Sequence, residues 1–240
     1  LPLTLSDALA HAGRFPLALV WTAVPQGTKA YALASRIGIS LKYKRTKMAA
    51  LIVPTAYLPP SFSCPELTNE GLCGIHGSKP LRCRTMPFYP YREESEQADL
   101  LLPQQGWACD TSQAAAAVYR NKLIVDRADF NLERNELLQQ APIMQKYAEY
   151  MLKYSPWIVE NLAALLTKPG GNVITSLSSF MTAIKHLDAA NLAAQQVPLL
   201  KRYAEMTAEI PALAEYHRNY AGWTIEMEYL ASVVGHKAKV

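Results

Sequence analysis

A mainly α chain with one small β-hairpin is the fold class this sequence predicts. An irregular Cys-rich loop region precedes a C-terminal helical bundle. Three observations carry that expectation. From Asp129 onward the residues favour helix, with Leu137, Leu138, Ile143, Met144, Tyr147 and Met151 as an apolar set. Residues 39–53 switch to β-formers on either side of a short charged turn. Between them, Pro54, Pro59, Pro60, Pro65, Pro80, Pro87, Pro90 and Pro103 exclude long helices, because proline lacks an N–H and clashes with the preceding turn.

Taken in order, Thr4 or Ser6 can cap a short helix over Asp7 to Ala12 that ends at Gly13. Apolar Phe15 to Ala23 reads as a second helix, and Gly27 to Gly38 as a third. Ile39 to Tyr43 and Met48 to Val53 form the hairpin around Lys44-Arg45-Thr46-Lys47. Val118 to Val125 reads as a short strand around Asn121-Lys122. Asp129 or Asn131 caps the first long helix, and Ser155-Pro156 starts the next, which runs out near Lys168-Pro169-Gly170-Gly171. Helices over Ser176 to Leu187 and Asp188 to Gln196 follow, then one opened by Pro198 and one opened by Pro211 that reaches about Val234. The organisation expected is an N-terminal part, residues 1–125, and a bundle, residues 126–240, or one continuous domain.

Half the residues are hydrophobic and 18% are charged, which supports a sizeable core and argues against global disorder. No apolar run reaches the roughly 20 residues of a membrane helix, and no signal-peptide pattern is present, so a cytoplasmic location is expected. In that compartment grouped cysteines favour metal over disulfide. The net charge is +4, and its excess is N-terminal, with seven Lys/Arg against one acid in residues 1–60. Lys42, Lys44, Arg45 and Lys47 read as a solvated hairpin tip. Nucleic acid is not an expected partner, because no aromatic ladder or nucleic-acid motif accompanies them.

All four cysteines, Cys64, Cys73, Cys83 and Cys109, lie between Phe62 and Thr111. The gaps of eight, nine and twenty-five residues are not those of a zinc ribbon. Residue by residue, one shared zinc or iron–sulfur site, two disulfides, or four free thiols all stay open. Context favours the shared site. Lys79, Arg82, Arg84 and Arg92 offer positive charge to thiolates, Arg82 and Arg84 as hydrogen-bond donors to sulfur. Gly71, Gly74, Gly77 and Gly106 let backbone wrap closely, and Trp107 and Phe88 can exclude water. His76, three residues after Cys73, can replace a sulfur, donate to one, or be structural. His11, His186, His217 and His236 have no comparable company and are not expected as ligands.

The order Cys-Pro-x-Leu, Leu-Cys-x-Ile-His, Lys-Pro-x-x-Cys-Arg-x-x-Pro-Phe, from Cys64 to Phe88, resembles the YkgJ-type cysteine-cluster family of zinc- or iron-chelating domains. Its relatives include flagellin lysine N-methylases. The resemblance implies a metal or iron–sulfur site on Cys64, Cys73 and Cys83, to which the Trp-x-Cys context adds Cys109. The family opens with a tight Cys-x-x-Cys-x-x-Cys-Cys element, and residues 1–63 hold no cysteine. Either four sulfurs suffice, or that element belongs upstream of Leu1, a non-Met start.

The function expected first is metal binding, with zinc or an iron–sulfur cluster as cofactor. An iron–sulfur enzyme, for methyl transfer to protein lysine or for electron transfer, is the second reading. No glycine-rich nucleotide loop, Ser/His/Asp set or carboxylate pair supports it from the residues; Glu93, Glu94 and Glu96 read as a solvated loop, and Tyr89 and Tyr91 as loop packing. A protein-interaction module with a structural metal is the third reading, with an unknown protein as partner.

Overall fold

The computed structural model describes residues 1–103, 110, 112–166 and 171–237. It is a mixed α and β structure in which helix outweighs strand. Its centre is a four-stranded antiparallel sheet in the order β2 (Ile39–Tyr43), β3 (Thr46–Ala56), β1 (Leu17–Pro25) and then a fourth strand over Val173–Ser176. The expected hairpin is therefore one edge of a larger sheet.

The expected second helix, over Phe15 to Ala23, is instead the inner strand β1. Its centre lies between two partners: Trp21 is opposite Ile52 on one side and Val173 on the other. Most of β1 is buried or half-buried on both of its faces, which removes the polar alternation that would mark a strand. Neighbouring β3 shows the same arrangement. Met48, Ala50 and Ile52 enter the main core, while Ala49, Leu51 and Val53 enter a second cluster.

The β2–β3 turn is tighter than expected, with Lys44 at φ 53° and Tyr43 already paired to Thr46. Lys42, Lys44, Arg45 and Lys47 are all exposed, as a solvated tip requires. Helix α1 (Leu5–Ala10) starts at Thr4, whose Oγ1 accepts the Asp7 N–H at 3.1 Å. Helix α2 (Tyr31–Ile37) hands over to β2 through Gly38. A Cβ there would lie 2.1 Å from the Ala50 carbonyl oxygen, so only glycine allows this approach.

The described residues of 57–127 carry only short elements: α3 (Leu81–Thr85), three 3-10 turns, and the hairpin of β4 (Tyr119–Arg120) and β5 (Leu123–Ile124). The sequence suggested one strand over 118–125. Asn121 and Lys122, at φ 52° and 62°, break it into two, as a two-residue type I′ turn does.

Helix α4 (Ala128–Tyr154) begins slightly before the expected caps, and Asp126 Oδ1 accepts the Ala128 N–H at 3.0 Å. Helix α5 (Trp157–Leu165) follows Pro156 as expected. The fourth strand, β6 (Val173–Ser176), was not foreseen, and Ser176 ends it by capping α6 (Leu177–Ala183). Helix α7 (Ala189–Thr207) runs through Pro198, where a break was expected. The loss is one backbone bond, and its buried face keeps packing, with Leu192, Ala193 and Leu200 in the core. A 3-10 turn over Pro211–Leu213 leads into α8 (Ala214–Lys237), and α7 and α8 form a tightly packed pair.

The main core joins residues from both halves of the chain, including Trp21, Tyr147, Phe180 and Tyr220. Buried polar groups cross-link it. Gln196 accepts the Leu17 N–H at 2.9 Å and donates to the carbonyls of Ala12 and Phe15, which ties α7 to the start of β1. Thr175 Oγ1 is shared by Trp21 Nε1 at 3.0 Å and the Tyr147 hydroxyl at 2.8 Å. Among the described residues no helix is long and apolar enough to cross a membrane.

Candidate functional site

The segment from Phe62 to Thr85 has little regular structure, so its position depends on a few anchors. Phe62 packs near Tyr203, Ile75 is buried in the main core, and Cys73 is packed against that core. Cys73 also bridges Leu67, and the Gly74 N–H donates to the Glu66 carbonyl at 2.7 Å. Glu66 in turn pairs with Arg14 at 3.0 Å. Asp7 Oδ2 accepts the Leu81 N–H at 2.8 Å, which fixes the start of α3 against α1. Cys83 sits on α3, one position after buried Arg82.

Cys64, Cys73 and Cys83 are free thiols, the first exposed and the other two half-buried. Burial pushes the Cys83 thiol above its ordinary pKa, and the proximity of Cys64 and Cys73 pushes it further. Arg82 opposes that shift, and Asp7 adds to it. The fold thus brings Cys64 and Cys73 within electrostatic reach of Cys83. Among the described residues, however, no three His, Cys, Asp or Glu side chains stand close enough together to hold a metal ion. Cys109 lies outside the described residues, with Gly106 and Trp107.

Cys83 opens into a cleft of about 740 Å³ that also takes His76, Lys79 and Arg84 from the loop, Asp7 and His11 from α1 and its end, and Asp129 from α4. His76 is exposed in a 3-10 turn, and its backbone N–H donates to the Cys73 carbonyl at 3.2 Å. Arg84 pairs with Asp129. His11 is the residue sequence reasoning set aside. It is buried, its Nδ1 has no hydrogen-bond partner among the described residues, and it borders the same cleft as Cys83. Nothing local announces this, because α1 and α3 meet only through the tertiary fold.

Beneath the cysteine loop lies a buried ion pair. Arg82 Nη1 and Glu133 Oε2 are 3.6 Å apart, with side chains 5% and 1% exposed. That separation is too long for a hydrogen bond, and neither atom has another partner among the described residues. Arg82 also donates through Nη2 to the Phe88 carbonyl and lies 5.4 Å from the Tyr89 ring centre. Burial raises the pKa of Glu133, and Arg82 and Thr85 counter it. Tyr91, fully enclosed nearby, is pushed well above the usual phenol range by burial, then by Tyr89 and Glu133.

Arg92 pairs with Asp99 at 2.8 Å, and Phe88 packs with Ile124 and Phe130. Glu93, Glu94 and Glu96 pair with Arg134, Arg127 and Lys29 rather than facing solvent alone. Gln97 orders this stretch, donating to the carbonyls of Tyr89, Arg92 and Glu93.

Comparison of the chain with known proteins found no matching family model, no matching curated protein and no matching solved structure.

Proposed function

We propose that this is a cytoplasmic metal-binding protein that holds a zinc ion or an iron–sulfur cluster through Cys64, Cys73, Cys83 and Cys109. The observation that carries the reading is the placing of two free thiols, Cys64 and Cys73, close enough to a third, Cys83, to act on it across separate turns of one loop. Burial and neighbouring sulfurs oppose ionising Cys83, and a bound cation removes that penalty by taking it as the thiolate. The donor set fits: soft sulfur ligands suit zinc and iron–sulfur clusters. Bringing the sulfurs to ligand distance requires the loop to draw in around the ion, which its glycines and scarce regular structure permit.

The chain's own residues have separable tasks. Phe62 and Ile75 anchor the loop to the core. Arg82 supplies positive charge beside Cys83. His76 would donate to a sulfur or replace one, a role its sharing of the cleft with Cys83 supports. When bound, the metal supplies a cross-link between the loop's turns, and an iron–sulfur cluster also supplies an electron-transfer centre.

The test is elemental analysis with a visible spectrum on anaerobically purified protein. About one zinc per chain without colour, or iron with visible absorbance, is expected, and Cys83→Ser should lose most of it. A folded wild-type protein free of metal, or full metal content in the Cys64→Ser, Cys73→Ser, Cys83→Ser triple variant, would overturn the reading.

A further inference from the structure

A second cleft, of about 540 Å³, lies where the end of α4 and the start of α5 meet β6, α6 and α8. Its volume is in the range of small-molecule sites. Its walls are aromatic: Tyr154, Trp157 and Tyr229 border it and remain 62%, 50% and 67% exposed, with buried Trp223 behind them. These ring faces are not used to fill the core. The floor is a run of hydroxyl groups at the β6–α6 junction, including Ser176 and Ser178, whose Oγ atoms are 2.7 Å apart.

Among the described residues, one charged side chain lines the cleft, Glu226 on α8. The Ser178 hydroxyl donates to its Oε2, and no Lys or Arg among the described residues pairs with it. Glu228 on the same helix pairs with Lys201 of α7 at 2.7 Å, whereas no such pair reaches Glu226 among the described residues. A carboxylate without a counter-ion, flanked by open aromatic faces, is complementary to a positive ligand. Lys153, which does not line the cleft, lies 5.1 Å from the Tyr154 ring centre, so the open faces are chiefly those of Trp157 and Tyr229.

We propose that this cleft binds a small organic ammonium ion. The charge would sit between Glu226 and the faces of Trp157 and Tyr229. It would gain an ion pair and cation–π attraction together, neither of which a neutral molecule of the same shape obtains. The serine floor would meet the polar end of the ligand. A saccharide would also stack on such rings, but it would not depend on the carboxylate's charge. The site shares no residue with the cysteine loop, so it stands or falls independently of the metal.

The experiment is a tryptophan-fluorescence titration of the intact protein at fixed ionic strength, since Trp157 and Trp223 both border the cleft. The probes are choline, its neutral isostere 3,3-dimethylbutan-1-ol, and glucose. Choline should give a saturable change and bind at least roughly tenfold more tightly than the isostere. Glu226→Gln should weaken choline roughly tenfold and leave the isostere unchanged. Tyr229→Ala, at an exposed position, should weaken choline without shifting the thermal midpoint. No saturable change with choline, equal affinity for the isostere, tighter binding of glucose, or unchanged choline affinity in a folded Glu226→Gln protein would each overturn the proposal.

Discussion

Arg82→Ala is expected to destabilise the protein by about 3–5 kcal/mol, the loss seen when one partner of a buried ion pair is removed. Glu133 would remain 1% exposed with no positive partner, and the Phe88 carbonyl would lose its donor. The geometry explains why truncation is worse than replacement. At 3.6 Å the pair is not hydrogen-bonded, so its attraction only partly offsets the cost of removing both charges from water. Replacing both, as Arg82→Met with Glu133→Leu, should therefore recover most of the loss.

The pH dependence has a definite sign. Burial already raises the folded-state pKa of Glu133, and Arg82 is the largest influence opposing it. Without Arg82 the pKa rises further above its unfolded value of about 4.3. A carboxyl group raised in this way favours folding when protonated and opposes it once ionised. The deficit of Arg82→Ala relative to wild type should be full near pH 7 and should narrow as pH falls toward 4. Urea unfolding at both pH values measures it. A loss under about 1 kcal/mol, or one that does not change with pH, would contradict this account of the pair.

With the proposed metal bound to the loop, chelation is expected to loosen the cysteine loop and spare the sheet. Strands β1 and β3 are buried in two apolar clusters that involve the loop chiefly through Ile75 and Tyr91. Residues 62–85, by contrast, hold one bridge, one 3-10 turn and the five-residue α3. Segments with so few internal bonds open at low free-energy cost unless something ties them. Hydrogen exchange after chelation, or in Cys83→Ser, should therefore show protection over 62–85 falling by roughly tenfold or more, with β1 and β3 unchanged. Unchanged protection in the loop, or collapse of the whole sheet, would both be incompatible with a local metal staple.

These two regions also show what the sequence could and could not convey. Signals confined to a few residues were legible: Thr4 as a cap, Pro156 as a helix start, and the β2–β3 hairpin with its basic tip. Strand β1 was not, because a strand apolar on both faces has no period to distinguish it from a buried helix. Strand β6, four residues long, is defined by pairing with β1 rather than by its own pattern. The cysteines were legible by residue type, and Cys64 and Cys73 do act on Cys83 across the loop. Glu133 and His11 were not, since each reaches the site from an element remote in sequence and carries no local motif. Glu226 is similar: its isolation is visible only once α8 lies against the serine-rich turn.

X-ray absorption at the zinc and iron edges of the purified protein tests the shared sulfur site most directly, because it counts the atoms around the metal. A first shell dominated by sulfur at about 2.3 Å is predicted, and it should disappear in Cys83→Ser. A bound metal surrounded by nitrogen and oxygen alone, or one whose sulfur shell is untouched by loss of Cys83, would contradict the account.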